Sequence, residues 1–186
     1  MSRFIFHATP LSKLTLVERL PIVDDRGFLS RVYCAGEFHA AGMSKPIAQI
    51  NHTLTRKRGT VRGLHFQHPP HEEWKLVSCF KGQVMDVAVD LRRDSSTFLQ
   101  WYSATLSAEN RRSLLIPEGF AHGFQTLTED CELIYLHTAA YSAGSEGALN
   151  VMDPRLAITW PIDISELSER DRRHAFVDAS FSGLSK

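Results

Sequence analysis

The chain has 186 residues, 43% of them hydrophobic and 23% charged, with 21 Lys plus Arg balancing 21 Asp plus Glu. That length and composition predict one soluble globular domain over residues 1–186 and exclude disordered or fibrous classes. The balanced charge gives no general pull toward nucleic acid or an anionic membrane, so an anionic ligand must be met by locally placed cations.

The three cysteines, Cys34, Cys79 and Cys131, show no CxxC spacing. This argues against a disulfide framework or a zinc knuckle and predicts a reducing, cytoplasmic setting. The opening MSRFIFHATPLSKL has no apolar stretch followed by a small-residue cleavage site. No apolar run reaches the roughly 20 residues that span a bilayer.

In chain order, residues 36–41 read as one helical turn, followed by strands over 47–55 and 59–66. LVSCFKGQVMDVAVDL, residues 76–91, holds two apolar runs separated by Lys81-Gly82 and predicts a hairpin. In its second run Met85, Val87, Val89 and Leu91 share one face, and Val84, Asp86, Ala88 and Asp90 the other. Strands follow over 101–106 and 112–116. Pro117-Glu118-Gly119 makes a tight connection to strands over 121–126 and 132–138. SELSERDRRHAF, residues 165–176, predicts a short helix capped by Ser165 or Ser168. Many short strands and few helices predict an all-β jelly-roll barrel of the cupin type, a double-stranded β-helix.

The densest chemistry lies in RGLHFQHPPHEEWKLV, residues 62–77, which holds three of the nine histidines. A mononuclear metal site built from His65, His68, His71 and His122 fits the spacing poorly. Strand alternation puts His65 and His68 on opposite faces, and Pro69-Pro70 breaks the strand after His68. His68 and His71 read as solvated loop residues beside Glu72 and Glu73. His65 lies mid-strand, where a structural role competes with a catalytic one. Lys75 shares an apolar face with Val77 and Cys79, and an inward lysine demands an anion, a ligand or a functional role. Arg62 shares a face with His65 only if a bulge interrupts the strand near Gly63. In IPEGFAHGF, the small neighbours Ala121 and Gly123 leave room beside His122. Tyr135 sits in the apolar strand ELIYLHT, where a core aromatic is the competing assignment. The charged pattern around Asp171 by itself reads as the surface of a helix.

Taken together, DDRGF (24–28), QINH (49–52), RGLHFQ (62–67), KLV (75–77), GQVMDVAVDLR (82–92), LSAEN (106–110), IPEGFAHGF (116–124), Tyr135, Asp153-Pro154 and ELSERD (166–171) resemble the dTDP-4-dehydrorhamnose 3,5-epimerase family. These are cofactor-free cupin enzymes of deoxysugar biosynthesis. The resemblance implies a homodimer acting on a nucleotide-linked 4-keto-6-deoxyhexose. It implies His65 as general base, Asp171 as its orienting carboxylate, Tyr135 as the acid on the opposite face, and Lys75 as stabiliser of the enolate oxygen. It places Arg26, Gln49, Asn51, Arg62, His122, Glu146 and Arg170 at substrate-contacting positions, with no metal and no cofactor.

The chain departs from the family pattern at four points. Arg31 stands where a glutamate is usual, and Ile50 where an aspartate is usual. Arg170 replaces a lysine, and Ala140-Tyr141 replaces paired tyrosines. Arg31 and Ile50 leave the nucleotide and the sugar open. A single-centre 3- or 5-epimerase and a 3,4-ketoisomerase are the nearest alternatives. A metal-dependent cupin oxygenase and a non-catalytic sugar-nucleotide binding module lie further off.

Overall fold

In a computed structural model that describes residues 2–185, the regular structure is almost entirely strand. The amino-terminal half contains β1 (Phe4–Ala8), β2 (Thr15–Arg19), β3 (Ile22–Asp24), β4 (Gly27–Leu29), α1 (Ala35–Ala40), β5 (Gln49–Thr55), β6 (Thr60–Gln67), β7 (Lys75–Lys81) and β8 (Gln83–Asp90). Then come β9 (Trp101–Ser107), β10 (Arg112–Ile116), β11 (Phe120–Thr126), β12 (Cys131–His137), β13 (Glu146–Ala148), β14 (Glu166–Leu167) and α2 (Glu169–Arg172).

One six-stranded sheet runs β1-β2-β10-β7-β12-β5. The facing sheet runs β13-β6-β11-β8-β9, with β14 added in parallel to β6. β3 and β4 form a separate two-stranded hairpin. This is the double-sheet jelly roll that the strand pattern predicts.

The alternation of side chains sorts the core into three layers. Val77, Cys79, Leu133 and Tyr135 from the first sheet meet Val84, Ala88, Phe120 and Phe124 from the second between the sheets. Leu64, Phe66, Met85, Val87 and Val89 point out of the second sheet and are covered by Leu149, Val151, Leu156 and Val177 of the carboxy-terminal segment. Leu76, Leu115 and Leu136 point out of the first sheet and pack against Phe38, Met43 and Trp74. Strands buried on both faces read as unbroken apolar runs, which explains the composition of LVSCF and VMDVAV.

The hairpin predicted over 76–91 does not form. β7 pairs with β10 and β12, whereas β8 pairs with β11 and β9 in the other sheet. Both runs are central strands, so each needs two partners. Gly82, at φ +76°, turns the chain from one sheet into the other. A Cβ there would lie 2.6 Å from Thr128 Oγ1 and 2.8 Å from Cys131 Sγ. The helical turn predicted over 36–41 forms as α1, but of residues 165–176 only Glu169–Arg172 is helical, because Glu166–Leu167 pairs with β6 as β14. Ser168, rather than Ser165, caps α2 by accepting from the Asp171 backbone N–H at 3.0 Å. Ser165 instead donates to the Arg58 carbonyl at 2.6 Å.

Candidate active site

The bulge that a shared face for Arg62 and His65 requires is present, and it organises the site. His65 of β6 stands opposite His122 of β11, yet Arg62 stands opposite Phe124, so β6 carries an extra residue between those pairs. Gly63 adopts φ +134°, and a Cβ on it would lie 2.6 Å from Gly123 Cα. Two facing glycines therefore permit the close approach that shifts the register. Leu64 and Phe66 still point into the outer core. Arg62 and His65 line one cavity of about 220 Å³, with Asn51, Lys75, His122 and Tyr135 among its other walls.

Two further cavities adjoin it. One, of about 200 Å³, shares Asn51, His65 and Lys75 and adds Gln49, Glu73, Tyr141 and Glu146. The other, of about 460 Å³, shares Arg62 and His65 and adds Ser168, Arg170 and Asp171. His65 borders all three, so they form one cleft across the edge of the barrel with this imidazole at its centre.

His65 Nε2 lies 2.7 Å from Asp171 Oδ1. Asp171 is 5% exposed, and is thus no surface carboxylate. Burial works to raise its carboxyl, but the His65 contact, the Ser168 hydroxyl and the Gly63 N–H outweigh burial and hold it below the usual range. An ionised carboxylate only accepts hydrogen bonds, so His65 presents Nε2–H to it and keeps its lone pair on Nδ1.

Lys75 has the anion that its inward position demands. Its Nζ lies 3.0 Å from Glu73 Oε1, and both residues are buried. Gln67 donates to Glu73 Oε2 at 3.0 Å, and His137 Nδ1 lies 3.8 Å from Oε1. Burial alone would raise Glu73, yet His137, Lys75 and Gln67 together hold it at about 2. His68 and His71 are exposed loop residues, as predicted.

The sheet that carries His65 repeats the arrangement one strand over, where His122 of β11 stands opposite His65. His122 Nε2 lies 2.8 Å from Asp86 Oδ1, and Asp86 is wholly buried. Burial raises the Asp86 carboxyl against the pull of His122 and Lys75. Tyr135 is on β12 in the first sheet, across the cavity from His65 in the second. Thr53 donates to the Tyr135 hydroxyl at 3.5 Å, and the Tyr135 and His122 rings meet edge-on at 5.9 Å. Burial pushes the Tyr135 phenol well above its ordinary value, so it stays protonated.

At the cleft rim, Gln49 donates to Asn51 at 3.1 Å and accepts from the Tyr141 backbone at 3.0 Å. The Tyr141 hydroxyl reaches Glu146 at 3.1 Å, and Glu146 also pairs with Arg170. Arg62 makes no ion pair among the described residues and is exposed. Arg26 is the one predicted contact that the cleft does not gather. It sits at the tip of the β3-β4 hairpin, 89% exposed and paired with Asp24 at 2.6 Å. Arg31 pairs with Glu37 at 3.3 Å, and Ile50 points away from the face that carries Gln49 and Asn51. Neither departure lines the cleft of its own chain.

Glu73, Asp86, His137 and His174 escape the sequence reading. Only Glu73 had a signal, the inward Lys75 two residues away.

The family model described as dTDP-4-dehydrorhamnose 3,5-epimerase matches residues 8–178. The chain is 42% identical over 172 residues to dTDP-4-dehydrorhamnose 3,5-epimerase of Salmonella typhimurium, covering 91% of this chain and 93% of the relative. Its structure is similar to that of dTDP-4-dehydrorhamnose 3,5-epimerase from Bacillus anthracis with TDP and PPi bound. There the TM-score is 0.90 at 38% identity, covering 94% of this chain and 99% of that one. A dTDP-6-deoxy-D-glucose-3,5-epimerase from Legionella pneumophila, in complex with dTDP-4-keto-L-rhamnose, gives a TM-score of 0.90 at 34% identity over 98% and 99% of the two chains.

The Glu73 network predicts a defined acid sensitivity. Its carboxyl is held at about 2 in the fold against 4.5 as the ordinary value. A depressed carboxyl contributes stability above the ordinary value, and that stability drains as pH falls from about 4.5 toward 2. The whole effect is about 3 kcal/mol. Urea unfolding at neutral pH and at about pH 3 should show Glu73→Gln losing most of its penalty in acid. A penalty equal at both pH values would contradict this origin.

Proposed function

The chain belongs to the dTDP-4-dehydrorhamnose 3,5-epimerase family and is an isomerase, and from that premise we propose a division of labour in its cleft. The substrate is a dTDP-linked 4-keto-6-deoxyhexose, in keeping with the nucleotide and keto sugar bound by the Bacillus and Legionella relatives. The observation that carries the proposal is the pairing of a carboxylate-backed imidazole, His65, with a protonated phenol, Tyr135, on facing sheets.

C3 and C5 of such a sugar both lie alpha to the C4 ketone, so loss of either proton gives an enolate. His65 Nδ1 takes the proton, and Asp171 stabilises the imidazolium that results. Lys75 donates to O4 as negative charge builds there, which lowers the barrier more than an equal contact to the neutral ketone would. Tyr135 returns a proton to the other face of the ring, inverting the centre. The phenolate left behind regains its proton from solvent, and His65 loses its extra proton likewise. The sequence needs no redox partner, because substrate and product have the same oxidation state. Arg62, with a free guanidinium at the cleft, suits the pyrophosphate. Gln49, Asn51, His122, Glu146 and Arg170 would hold the sugar and nucleotide.

His65→Asn should lower kcat by about 10²–10⁴-fold while leaving dTDP affinity nearly unchanged by calorimetry. Tyr135→Phe should lose product inversion more than substrate C–H exchange. Full turnover in either variant would remove that residue from its role.

We infer also that the working unit is a homodimer in the cytoplasm, with residues 1–186 acting as one epimerase domain. The β3-β4 hairpin exposes Val23, Phe28 and Leu29 at 62–70% of their surface. Edge strand β5 exposes Ile50 and Leu54. Exposed apolar side chains of this kind suit burial against a second copy. Arg26, at the hairpin tip, would then meet a substrate only across that interface. The cysteines are all unpaired, which suits a reducing compartment. Light scattering should give twice the chain mass for the wild type and a shift to monomer for Leu29→Glu. A monomeric wild type would contradict the dimer.

A further inference from the structure

The proton-transfer scheme leaves one donor beside His65 idle. His174 follows α2, and its Nε2 lies 3.3 Å from Asp171 Oδ1. That is the same oxygen that His65 Nε2 approaches at 2.7 Å. The three donor atoms all lie within 4.8 Å of one another. The rings of His65 and His174 meet edge-on at 5.8 Å, so they converge on the carboxylate instead of stacking. His174 Nε2 is buried and has no hydrogen-bond partner among the described residues. A buried nitrogen left without a partner costs free energy and calls for an explanation.

Two imidazole nitrogens and one carboxylate oxygen on one side of a point form a donor set for zinc and its first-row neighbours, not for calcium or magnesium. Bonds of about 2.0–2.1 Å in a tetrahedron set the donors about 3.3 Å apart. His65 Nε2 and His174 Nε2 lie 2.7 and 3.3 Å from Asp171 Oδ1, at or inside that separation. His65 and Asp171 both line the cavity of about 460 Å³, which gives an ion a route from solvent. Arg170 on its wall is already paired with Glu146, while exposed Arg62 opposes a cation through screened solvent.

We propose that His65, Asp171 and His174 form an inhibitory site for a first-row divalent cation, zinc foremost. Coordination at Nε2 of His65 requires the tautomer with its proton on Nδ1, so the lone pair that would take the substrate proton is lost. The ion also occupies the carboxylate oxygen that would stabilise the imidazolium. No covalent bond is made or broken, and chelation restores the free dyad. The inhibitory effect rests on His65 being the base; the metal site itself does not.

Equilibrium dialysis against zinc alone, with turnover read on the same samples, tests the proposal on wild type, His174→Gln and His174→Ala. The wild type should take up one zinc per chain, lose turnover, and regain it with chelator. Both variants should bind zinc on the order of tenfold or more weakly and keep turnover in its presence. The readout is turnover with zinc relative to zinc-free turnover within each protein, since His174 lies 3.3 Å from the carboxylate behind His65. Cobalt in place of zinc should give the wild type visible absorption bands that the variants lack. No uptake by the wild type, or equal uptake by wild type and variants, would overturn the site. Uptake that depends on His174 but leaves turnover intact would support the site and count against His65 as the base.

Discussion

The close approach of β6 and β11 at Gly63 and Gly123 is the constraint on which the cleft depends. A side chain at either position would collide with backbone at under 3 Å, the Gly123 Cβ falling 2.8 Å from the Arg62 carbonyl. The contact breaks the register between His122 and Phe124. Without that break, strict alternation would send Arg62 outward with Leu64 and Phe66. With it, an arginine and a histidine three positions apart open onto the same cavity. One local packing event thus joins the candidate phosphate-binding group to the candidate base.

The second principle of the site is that its two inward imidazoles and its lysine are each backed by a different carboxylate. His65 has Asp171, Lys75 has Glu73, and His122 has Asp86. The carboxylates come from different elements: a short helix, a loop before β7, and the inner face of β8. Burying a lone charge in such a place would be costly, and pairing offsets much of that cost. The pairs also fix orientation. A carboxylate behind an imidazole selects the tautomer, and Glu73 draws the Lys75 ammonium to one edge of the cavity. Among the described residues Tyr135 has no charged partner within hydrogen-bonding reach, and burial keeps its proton in place. The two facing walls therefore hold opposite proton inventories, an acceptor on one and a donor on the other.

Much of this is legible in the sequence, and the failures have physical causes. Period-two alternation located the strands and sorted the faces of VMDVAV, because both faces of β8 are buried by different layers. The same double burial misled at Lys81-Gly82, where adjacent apolar runs look like a hairpin but belong to facing sheets. Alternation also exposed the conflict between Arg62 and His65 that the bulge resolves. The proximity of Asp171 to His65 was accessible only through family resemblance, since 106 residues separate them and a charged helix is an ordinary surface pattern. Asp86 and His174 carried no local signal, because a carboxylate in a strand or a histidine after a helix acquires meaning only from what the fold sets beside it. Arg31 and Ile50 fall, by the resemblance, at the nucleotide end or the dimer interface, and neither lines the cleft of its own chain.

The most direct test of the account is proton NMR of dTDP-4-keto-6-deoxyglucose incubated with the enzyme in deuterated water. Exchange of solvent deuterium into both C3 and C5 is the predicted result, since one imidazole and one phenol on facing walls serve either position alpha to the ketone. Exchange at a single carbon would contradict the double inversion and mark a single-centre enzyme. No exchange at either carbon in a folded protein that binds dTDP would contradict the assignment of His65 as the base.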